Sequence, residues 1–228
     1  MGDRAALPGP GFQMQVGACL IGGQFFDLAG DELIDLGTAR GLLNQAERAR
    51  ADRFHFDRHR EFFTRGRGFL RQTISRLLGL ADAAALEILE GANGKPMLAG
   101  DPIWFNLSHS EADAVLIWSH DGPLGVDLER HDRQLDVRKL ARSVFTTTEC
   151  DVLDGAPDEQ TRQALFFDFW TAKEARMKVT GEGMQLNPKD ISLVLEAGMP
   201  VGFAAPQSPK VALRYVSHLD GLSCAVVA

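Results

Sequence analysis

Gly125-Val126-Asp127-Leu128-Glu129 is a short segment that places two carboxylates at alternate positions. Because side chains alternate between the two faces of a strand, the carboxylates share one face and the apolar side chains point to the other. Two carboxylates side by side repel each other unless a proton or a cation lies between them, and Mg²⁺ prefers such oxygen ligands. The segment therefore predicts a strand whose polar face is either a magnesium site or an ordinary solvated surface.

Downstream, a long helix is predicted over about 158–180, with Gly181 as its C-terminal stop. Its last part reads Trp170-Thr171-Ala172-Lys173-Glu174-Ala175-Arg176-Met177-Lys178. Glu174 and Lys178 are four residues apart and therefore lie on one face of the helix. A carboxylate that completes a metal site would then stand beside an ammonium able to meet a phosphate. The alternative is a surface ion pair, worth roughly a few tenths of a kcal/mol.

Upstream of the paired carboxylates, the chain reads Phe105-Asn106-Leu107-Ser108-His109-Ser110. Serine and histidine hydrogen-bond phosphate oxygens well, and His109 could be a phosphate donor or a proton carrier. A serine-hydrolase nucleophile is not indicated, since G-x-S-x-G is missing and adjacent Ser108 and His109 do not give triad geometry. Gly94-Lys95-Pro96 adds a cation on a stiff loop, although the same residues also make an ordinary turn.

Strands and helices mix in both halves without the regular alternation of a doubly wound fold. Helices are predicted over 38–54 and 59–80, and Thr146-Thr147-Thr148-Glu149 forms a capping box that begins another. Asp121-Gly122 is predicted to be a hairpin turn between antiparallel strands, and 198–209 to be a loop. The predicted strands are 14–21, 86–90, 104–107, 114–118, 124–129, 191–195, 211–216 and 222–227. We therefore predict two α+β lobes that meet near Asp121, 1–121 and 122–228.

Length and composition place the chain among folded domains, with 228 residues, 45% of them hydrophobic. Cys19, Cys150 and Cys224 are widely separated and show no zinc spacing, so neither a disulfide framework nor a structural zinc site is expected. No apolar run approaches the roughly 20 residues of a membrane span. The first residues, MGDRAALPGPGF, lack the apolar core of a signal peptide. We expect a cytoplasmic protein that does not enter a membrane.

The charge is distributed unevenly. The chain carries a net charge of −7, yet residues 48–76 hold nine arginines against three carboxylates. Such a cluster indicates either a specific anionic ligand or an Arg-rich solvated helix face, and composition alone favours the solvated face. Nucleic-acid binding is not expected, because it usually shows as an overall basic chain. The nine are Arg48, Arg50, Arg53, Arg58, Arg60, Arg65, Arg67, Arg71 and Arg76.

Taken together, five motifs in this order and at these intervals resemble the 4′-phosphopantetheinyl transferases of the Sfp type. The resemblance spans roughly residues 48–184. It implies a pseudo-dimer of two similar α+β lobes in one chain, with coenzyme A and Mg²⁺ in the cleft between them, and we expect a monomer. The motifs are GKP at 94–96, FNLSHS at 105–110, GVDLE at 125–129, FTTTE at 145–149 and WTAKEARMKVTGEG at 170–183.

The resemblance also implies roles in the C-terminal lobe. Asp127, Glu129 and Glu174 would be the magnesium ligands. Glu174 would also be the base, directly or through water, for a serine of the carrier protein. Lys178 would meet the pyrophosphate and steady the leaving 3′,5′-ADP.

In the N-terminal lobe, the resemblance implies the contacts to coenzyme A. Lys95, Ser108 and His109 would bind its phosphates, and Arg50 falls where the family places a basic contact to the 3′-phosphate. Further candidates in the arginine cluster are Arg53, Arg67 and Arg71.

Two features depart from the family pattern. The loop after the long helix reads Gly181-Glu182-Gly183-Met184, where relatives often have a basic residue and a leucine. The chain is also acidic, although carrier proteins are usually acidic themselves. Docking of a carrier is therefore expected to use a local basic or apolar patch.

The function expected from the resemblance is Mg²⁺-dependent transfer of phosphopantetheine from coenzyme A to a serine of an acyl or peptidyl carrier protein, the holo-[acyl-carrier-protein] synthase reaction. Two alternatives are a non-catalytic coenzyme A-binding module and a metal-dependent phosphohydrolase of a nucleotide pyrophosphate. The intact set of Asp127, Glu129, Glu174 and Lys178 argues against the binding module.

Overall fold

The computed structural model describes residues 11–131, 135–204, 210–216 and 219–228. In the first half, the elements are β1 (Phe12–Val16), β2 (Cys19–Asp27), α1 (Leu36–Leu42), α2 (Gln45–Asp52), α3 (Asp57–Leu77), β3 (Ile88–Glu90), β4 (Pro96–Leu98), β5 (Trp104–Ser110) and β6 (Asp113–Ser119). In the second half, they are β7 (Gly125–Arg130), α4 (Val137–Val144), α5 (Thr147–Asp154), α6 (Glu159–Thr180), β8 (Leu193–Glu196), β9 (Met199–Phe203), β10 (Leu213–Tyr215) and β11 (Leu222–Val227).

Each half combines an antiparallel sheet, a two-stranded hairpin and one long helix. The first sheet has the strand order β1-β2-β6-β5, the second has β10-β11-β7, and the hairpins are β3-β4 and β8-β9. Helix α3 packs its buried apolar residues on the first sheet, and α6 packs on β7 and β11 of the second. The predicted α+β class with two similar halves is confirmed.

A shared apolar cluster joins the two sheets. Val115 and Ile117 of β6 pack in the same buried cluster as Val126 and Leu128 of β7. The segment between these strands contains Asp121, whose carboxylate accepts the backbone N–H of Leu20 at 2.7 Å. The lobe boundary near Asp121 stays a prediction. Across the described residues, no helix is both long and apolar enough to cross a bilayer.

The strongest local signals of the sequence are confirmed. Helix α3 follows its predicted apolar stripe, and α6 ends at Gly181, which adopts a left-handed φ of 75°. Thr146 and Glu149 form the predicted capping box at the start of α5. Each of these signals depends on neighbouring residues, so the fold does not have to supply a distant partner for it.

Two predicted elements of the first half are wrong. The strand predicted over 14–21 is a hairpin, because the chain reverses at Gly17, whose φ of 56° suits glycine. The helix predicted over 38–54 is two helices, α1 and α2. Asn44 interrupts it and forms a capping box with Glu47 at the start of α2.

The predicted hairpin at Asp121-Gly122 is also wrong. Strand β6 pairs with β2 and β5, whereas β7 pairs with β11, so this connection passes from one sheet to the other. The loop predicted over 198–209 contains β9, which pairs with β8. Residues 205–209 lie outside the described residues, as do residues 1–10 of the N-terminal segment.

Parts of the arginine cluster are structural. Arg71 is fully buried and donates to the Glu47 carboxylate at 2.7 Å and to the Leu86 carbonyl at 2.8 Å. Arg65 is also buried and pairs with Asp31 at 2.7 Å. A solvated helix face is therefore wrong for these two positions, because their guanidinium groups tie α3 to the segments around it.

Candidate active site

The edge strands β5 and β7 of the two sheets lie side by side, and side chains of β5 hydrogen-bond to the backbone of β7. We call this contact between the two strands the seam. Asn106 Oδ1 accepts the backbone N–H of Val126 at 2.9 Å, and Ser108 Oγ accepts that of Leu128 at 3.3 Å. Because both partners advance by two residues, the strands run parallel here. The seam places the carboxylate-bearing strand directly beside the Phe105–Ser110 motif.

Helix α6 crosses β7 very closely at Gly125. A Cβ atom at this position would lie 2.2 Å from the Ala175 carbonyl oxygen and 2.9 Å from the Val179 nitrogen. Only glycine fits without moving the helix. This close crossing brings the last turns of α6, with Glu174 and Lys178, over the polar face of β7.

Lys178 and Asp127 form the centre of the site. The ammonium of Lys178 donates to Asp127 Oδ1 at 2.6 Å, to Ser108 Oγ at 3.0 Å and to the Val126 carbonyl at 3.0 Å. Ser108 in turn donates its proton to Asp127 Oδ1 at 3.0 Å. The predicted residues Ser108, Asp127 and Lys178 are thus brought together.

Negative charge accumulates around this centre. Burial, together with the charges of Asp127 and Glu129, raises the pKa of Glu174 to about 7, although Lys178 opposes the rise. The second oxygen of Asp127, Oδ2, is buried and has no hydrogen-bond partner among the described residues. Three carboxylates therefore share one region with a single ammonium at its centre.

These residues fit a divalent cation, because an orphaned buried carboxylate oxygen and like charges in one space are both relieved by one. Within the described ranges, no three His, Cys, Asp or Glu side chains already converge as a ligand set. Asp127, Glu129 and Glu174 are the side chains that could hold the cation, since their charges interact.

A cavity of about 500 Å³ opens on the other side of β5. Arg50, Phe63, Arg67 and His109 are among its lining residues. The guanidinium of Arg50 lies 5.1 Å from the centre of the Phe63 ring and pairs with Glu90 at 2.9 Å. The cavity thus combines cations with aromatic surface, which suits a ligand that has both a phosphate and a ring.

Strand alternation explains why Ser108 and His109 face different regions. Ser108 points to the seam, and His109 lines the cavity. Partial burial lowers the pKa of the His109 imidazole, so the neutral ring is favoured near pH 7. The cavity and the carboxylates therefore lie on opposite faces of β5, with His109 toward the cavity and Ser108 toward the carboxylates.

Lys95 lies between the end of α6 and the start of β7. Its ammonium donates to the main-chain carbonyls of Leu124, Lys178 and Val179 at 3.2, 2.6 and 3.0 Å. Burial lowers its pKa to about 8. The structure thus gives Lys95 partners at the end of α6 and the start of β7, and its contact with a coenzyme A phosphate stays a prediction.

Asn93 is a site residue that the sequence analysis missed. It has a φ of 55°, and its Nδ2 donates to the carbonyls of Gly181 and Glu182 at 2.8 and 2.9 Å. Gln185 donates to its Oδ1 at 2.9 Å. The turn before Lys95 therefore holds the loop after α6. An asparagine in a Gly-rich turn signals the left-handed backbone, but not its distant partner.

Lys173 was also missed, and it explains why FTTTE accompanies the helix motif. Its buried ammonium donates to Glu149 Oε2 at 2.6 Å and to the Pro188 carbonyl at 3.0 Å. The other oxygen of Glu149 accepts the backbone N–H of Leu193 at 3.0 Å. This buried pair ties α6 to the start of α5 and to the segment around Pro188.

Comparisons with known proteins found relatives in one family. The profile of the 4′-phosphopantetheinyl transferase superfamily matches residues 123–227, which include β7 and α6. A phosphopantetheinyl transferase of Thraustochytrium sp. is 30% identical over 204 residues, covering 81% of this chain and 68% of the relative. The chain belongs to the 4′-phosphopantetheinyl transferase family. The resemblance described above is thereby confirmed.

Other members of the 4′-phosphopantetheinyl transferase family match over shorter segments. HetI of Nostoc sp. is 39% identical over 146 residues, covering 62% of this chain and 61% of HetI. AcpT of Escherichia coli is 39% identical over 124 residues, covering 54% of this chain and 58% of AcpT. In both cases the chain spans less than two thirds of the relative's length.

Proposed function

We propose that this chain transfers the 4′-phosphopantetheine group of coenzyme A to a serine of an apo carrier protein and releases 3′,5′-ADP. One observation carries the proposal. Lys178 of α6 donates to Asp127 of β7, whose other oxygen is orphaned, and Glu174 senses the charges of Asp127 and Glu129, on the opposite face of β5 from a cationic and aromatic cavity. A member of this family with that arrangement has the groups needed for phosphoryl-type transfer.

Coenzyme A would bind across β5. The cavity offers Arg50 and Arg67 to the 3′-phosphate and aromatic side chains to the adenine. His109 lines the same cavity, and Ser108 accepts from Lys178 on the other face of β5, so we assign both residues to the diphosphate. Arg50 would exchange its exposed partner Glu90 for the phosphate.

Asp127, Glu129 and Glu174 would hold Mg²⁺. When bound, the cation neutralises diphosphate oxygens and stabilises the charge that develops in the transition state. The orphaned oxygen of Asp127 supports this assignment, because burial of an unpaired carboxylate oxygen is costly without a counter-ion or donor.

The side chains of this chain would then organise the transfer. The serine oxygen of the carrier attacks the β-phosphorus of coenzyme A, and the bond from that phosphorus to the bridging oxygen breaks. Glu174 takes the serine proton, directly or through water. The ammonium of Lys178 faces the leaving 3′,5′-ADP and balances its charge. Positioning and charge supply most of the acceleration.

The proposal is tested by incubating the protein with coenzyme A, Mg²⁺ and a panel of apo carrier proteins, with intact mass as the readout. At least one carrier should gain one phosphopantetheine group, and 3′,5′-ADP should appear in equal amount. Cleavage of coenzyme A without carrier modification would instead indicate a phosphohydrolase. Binding of coenzyme A without cleavage would indicate a binding module.

A further inference from the structure

Ser110 is the last residue of β5 and lies at the far end of the seam. Its side chain is buried, and its hydroxyl donates to Glu129 Oε2 at 2.8 Å. The Ser110 Oγ atom also accepts the backbone N–H of Arg130 at 3.1 Å. A serine hydroxyl has one proton to donate, so the amide and the carboxylate together fix its orientation.

The contacts of Ser110 repeat those of Ser108 one step along the seam. Ser108 donates to Asp127 and accepts the N–H of Leu128, just as Ser110 donates to Glu129 and accepts the N–H of the next residue. Two serines on one strand therefore match two carboxylates on the other. Each serine hydroxyl thus bridges the carboxylate of one β7 residue and the backbone N–H of the next β7 residue.

Arg130 adds a second contact between the end of β7 and the first sheet. Its guanidinium pairs with the buried carboxylate of Asp113 on β6, while its amide is held by Ser110. The backbone on the C-terminal side of Glu129 is thus fixed to the first sheet twice. Under these constraints, the hydrogen bond from Ser110 limits the rotation of the Glu129 carboxylate.

We propose that Ser110 is a positioning residue that orients Glu129 for cation binding. The proposal rests on the proposed function, since it takes Glu129 as a ligand of the divalent cation. Groups that orient a metal ligand through a hydrogen bond typically change metal affinity or activity by about 10- to 100-fold when removed. Coenzyme A affinity should not change, because Ser110 points to the seam and the cavity lies on the other face of β5.

The test titrates Mn²⁺ into protein saturated with coenzyme A, without carrier, and measures free Mn²⁺ by electron paramagnetic resonance. Ser110→Ala should raise the Kd for Mn²⁺ by about 10- to 100-fold, and Ser110→Thr, which keeps the hydroxyl, should restore most of the affinity. Ser119→Ala is the matched control. That serine is equally buried, but it donates to the Leu20 carbonyl on β2, so its loss should leave the Kd unchanged.

The Mn²⁺ titration distinguishes a failure of the proposed role of Ser110 from a failure of the proposed cation site. If Ser110→Ala binds Mn²⁺ as tightly as the wild type, or Ser119→Ala weakens binding equally, the role of Ser110 is wrong. If the wild type with coenzyme A binds no Mn²⁺, both this role and the proposed cation site are wrong. Should Ser110→Ala fail to fold, Ser110→Cys keeps the volume with a weaker donor, and its Kd should lie between those of the wild type and a full loss.

Discussion

At the scale of single residues, the site depends on charges that the fold brings into one partly buried space. Asp127 and Glu129 share a strand face, and Glu174 joins them from α6 with a pKa of about 7. A single ammonium, that of Lys178, lies at the centre, hydrogen-bonded to Asp127. The excess of carboxylates favours a bound cation. Replacement of one of these carboxylates by a neutral amide should therefore weaken cation binding and slow transfer.

Glu174→Gln should abolish transfer and leave the protein folded, because it removes a charge from the site without changing the side-chain volume. We expect the rate to fall by at least about 10²-fold. The measurement is carrier modification at saturating Mg²⁺, followed by intact mass. The matched control is Glu196→Gln on the exposed surface of β8, which should react like the wild type. Near wild-type turnover of Glu174→Gln would show that the assignment is wrong.

Arg50→Ala should erase a preference for coenzyme A over dephospho-coenzyme A. A charge-assisted contact is worth about 1.5 to 3 kcal/mol, so the wild type should prefer coenzyme A by one to two powers of ten. Calorimetry of both ligands measures this. Glu90→Ala, which removes the partner of Arg50, serves as the control and should not weaken the preference. Equal affinity of the wild type for the two ligands would exclude the 3′-phosphate contact.

The largely buried carboxyl of Asp168 should make the stability of the protein depend on pH. Burial raises its pKa to about 6, against the lowering effect of the hydrogen bond from Ser223. The folded state therefore holds this proton more tightly than the unfolded state, and its contribution to the unfolding free energy falls as pH rises from about 4 to about 6. Above about pH 6, the Asp168 carboxylate is charged although it is largely buried, which lowers the stability of the folded state.

Asp168→Asn removes that charge and keeps an oxygen that can accept from Ser223. The variant should be more stable than the wild type at pH 8 by about 1 to 3 kcal/mol, and the difference should shrink toward pH 4. Urea unfolding at the two pH values measures it. A difference that stays constant with pH would contradict the raised pKa.

At the scale of elements, the packing of α6 on β7 decides the geometry of the site. Gly125 permits the close crossing, the Lys95 ammonium holds the carbonyls at the end of the helix, and Asn93 holds the loop that follows. Lys178 is thus fixed at both ends, since Lys95 contacts its carbonyl and Asp127 contacts its ammonium.

Gly125→Ala should therefore damage both stability and transfer. The added methyl group would overlap the Ala175 carbonyl, so α6 must move away from β7. Overpacking of this kind costs about 1 to 3 kcal/mol, and the displaced Glu174 and Lys178 should slow transfer in addition. Urea unfolding and the transfer rate are the measurements. Gly202→Ala is the control: among the described residues, its added Cβ meets nothing within 4 Å, and both quantities should stay near wild type.

The same scale shows what the sequence can predict. The helices α3 and α6 and the capping box of Thr146 are encoded by residues within a few positions, so they were predicted correctly. The partners of β7 were not, because β11 lies about a hundred residues away and β5 joins through side chains. Hydrophobic periodicity gives the direction of a side chain but not the strand that will lie beside it.

For the site, the motifs predicted which residue types matter and the fold added their contacts. Ser108, Asp127 and Lys178 are hydrogen-bonded to one another, while the roles that the resemblance implies for them stay predictions. The three carbonyl partners of Lys95 could not be predicted, because they require the end of α6 and the start of β7 to lie beside the same turn. Local sequence does not contain that information.

At the scale of the whole molecule, charge governs how a carrier protein would approach. The chain has a net charge of −7, and some of its arginines, such as Arg65 and Arg71, are buried in ion pairs and offer no contact to a partner. An acidic partner would therefore be repelled at long range and attracted only by local cations or apolar contact.

Transfer should slow only modestly as salt rises, because screening weakens the long-range repulsion and the short-range attraction together. The measurement is kcat/KM for a carrier from about 0.05 to about 0.5 M NaCl, over which the Debye length shrinks from about 14 Å to about 4 Å. Mg²⁺ and coenzyme A are kept saturating. A drop of more than about tenfold would show that electrostatic steering dominates docking.

The cluster shared by the two sheets also determines how the molecule comes apart. Val115 and Ile117 from one half and Val126 and Leu128 from the other bury each other, so each half depends on the other to cover part of its apolar surface. A separated half would expose this apolar face and the edge of β5 or β7, both of which invite association with another chain. The halves should thus melt as one cooperative unit, and either of them alone would need a second copy to cover the same face.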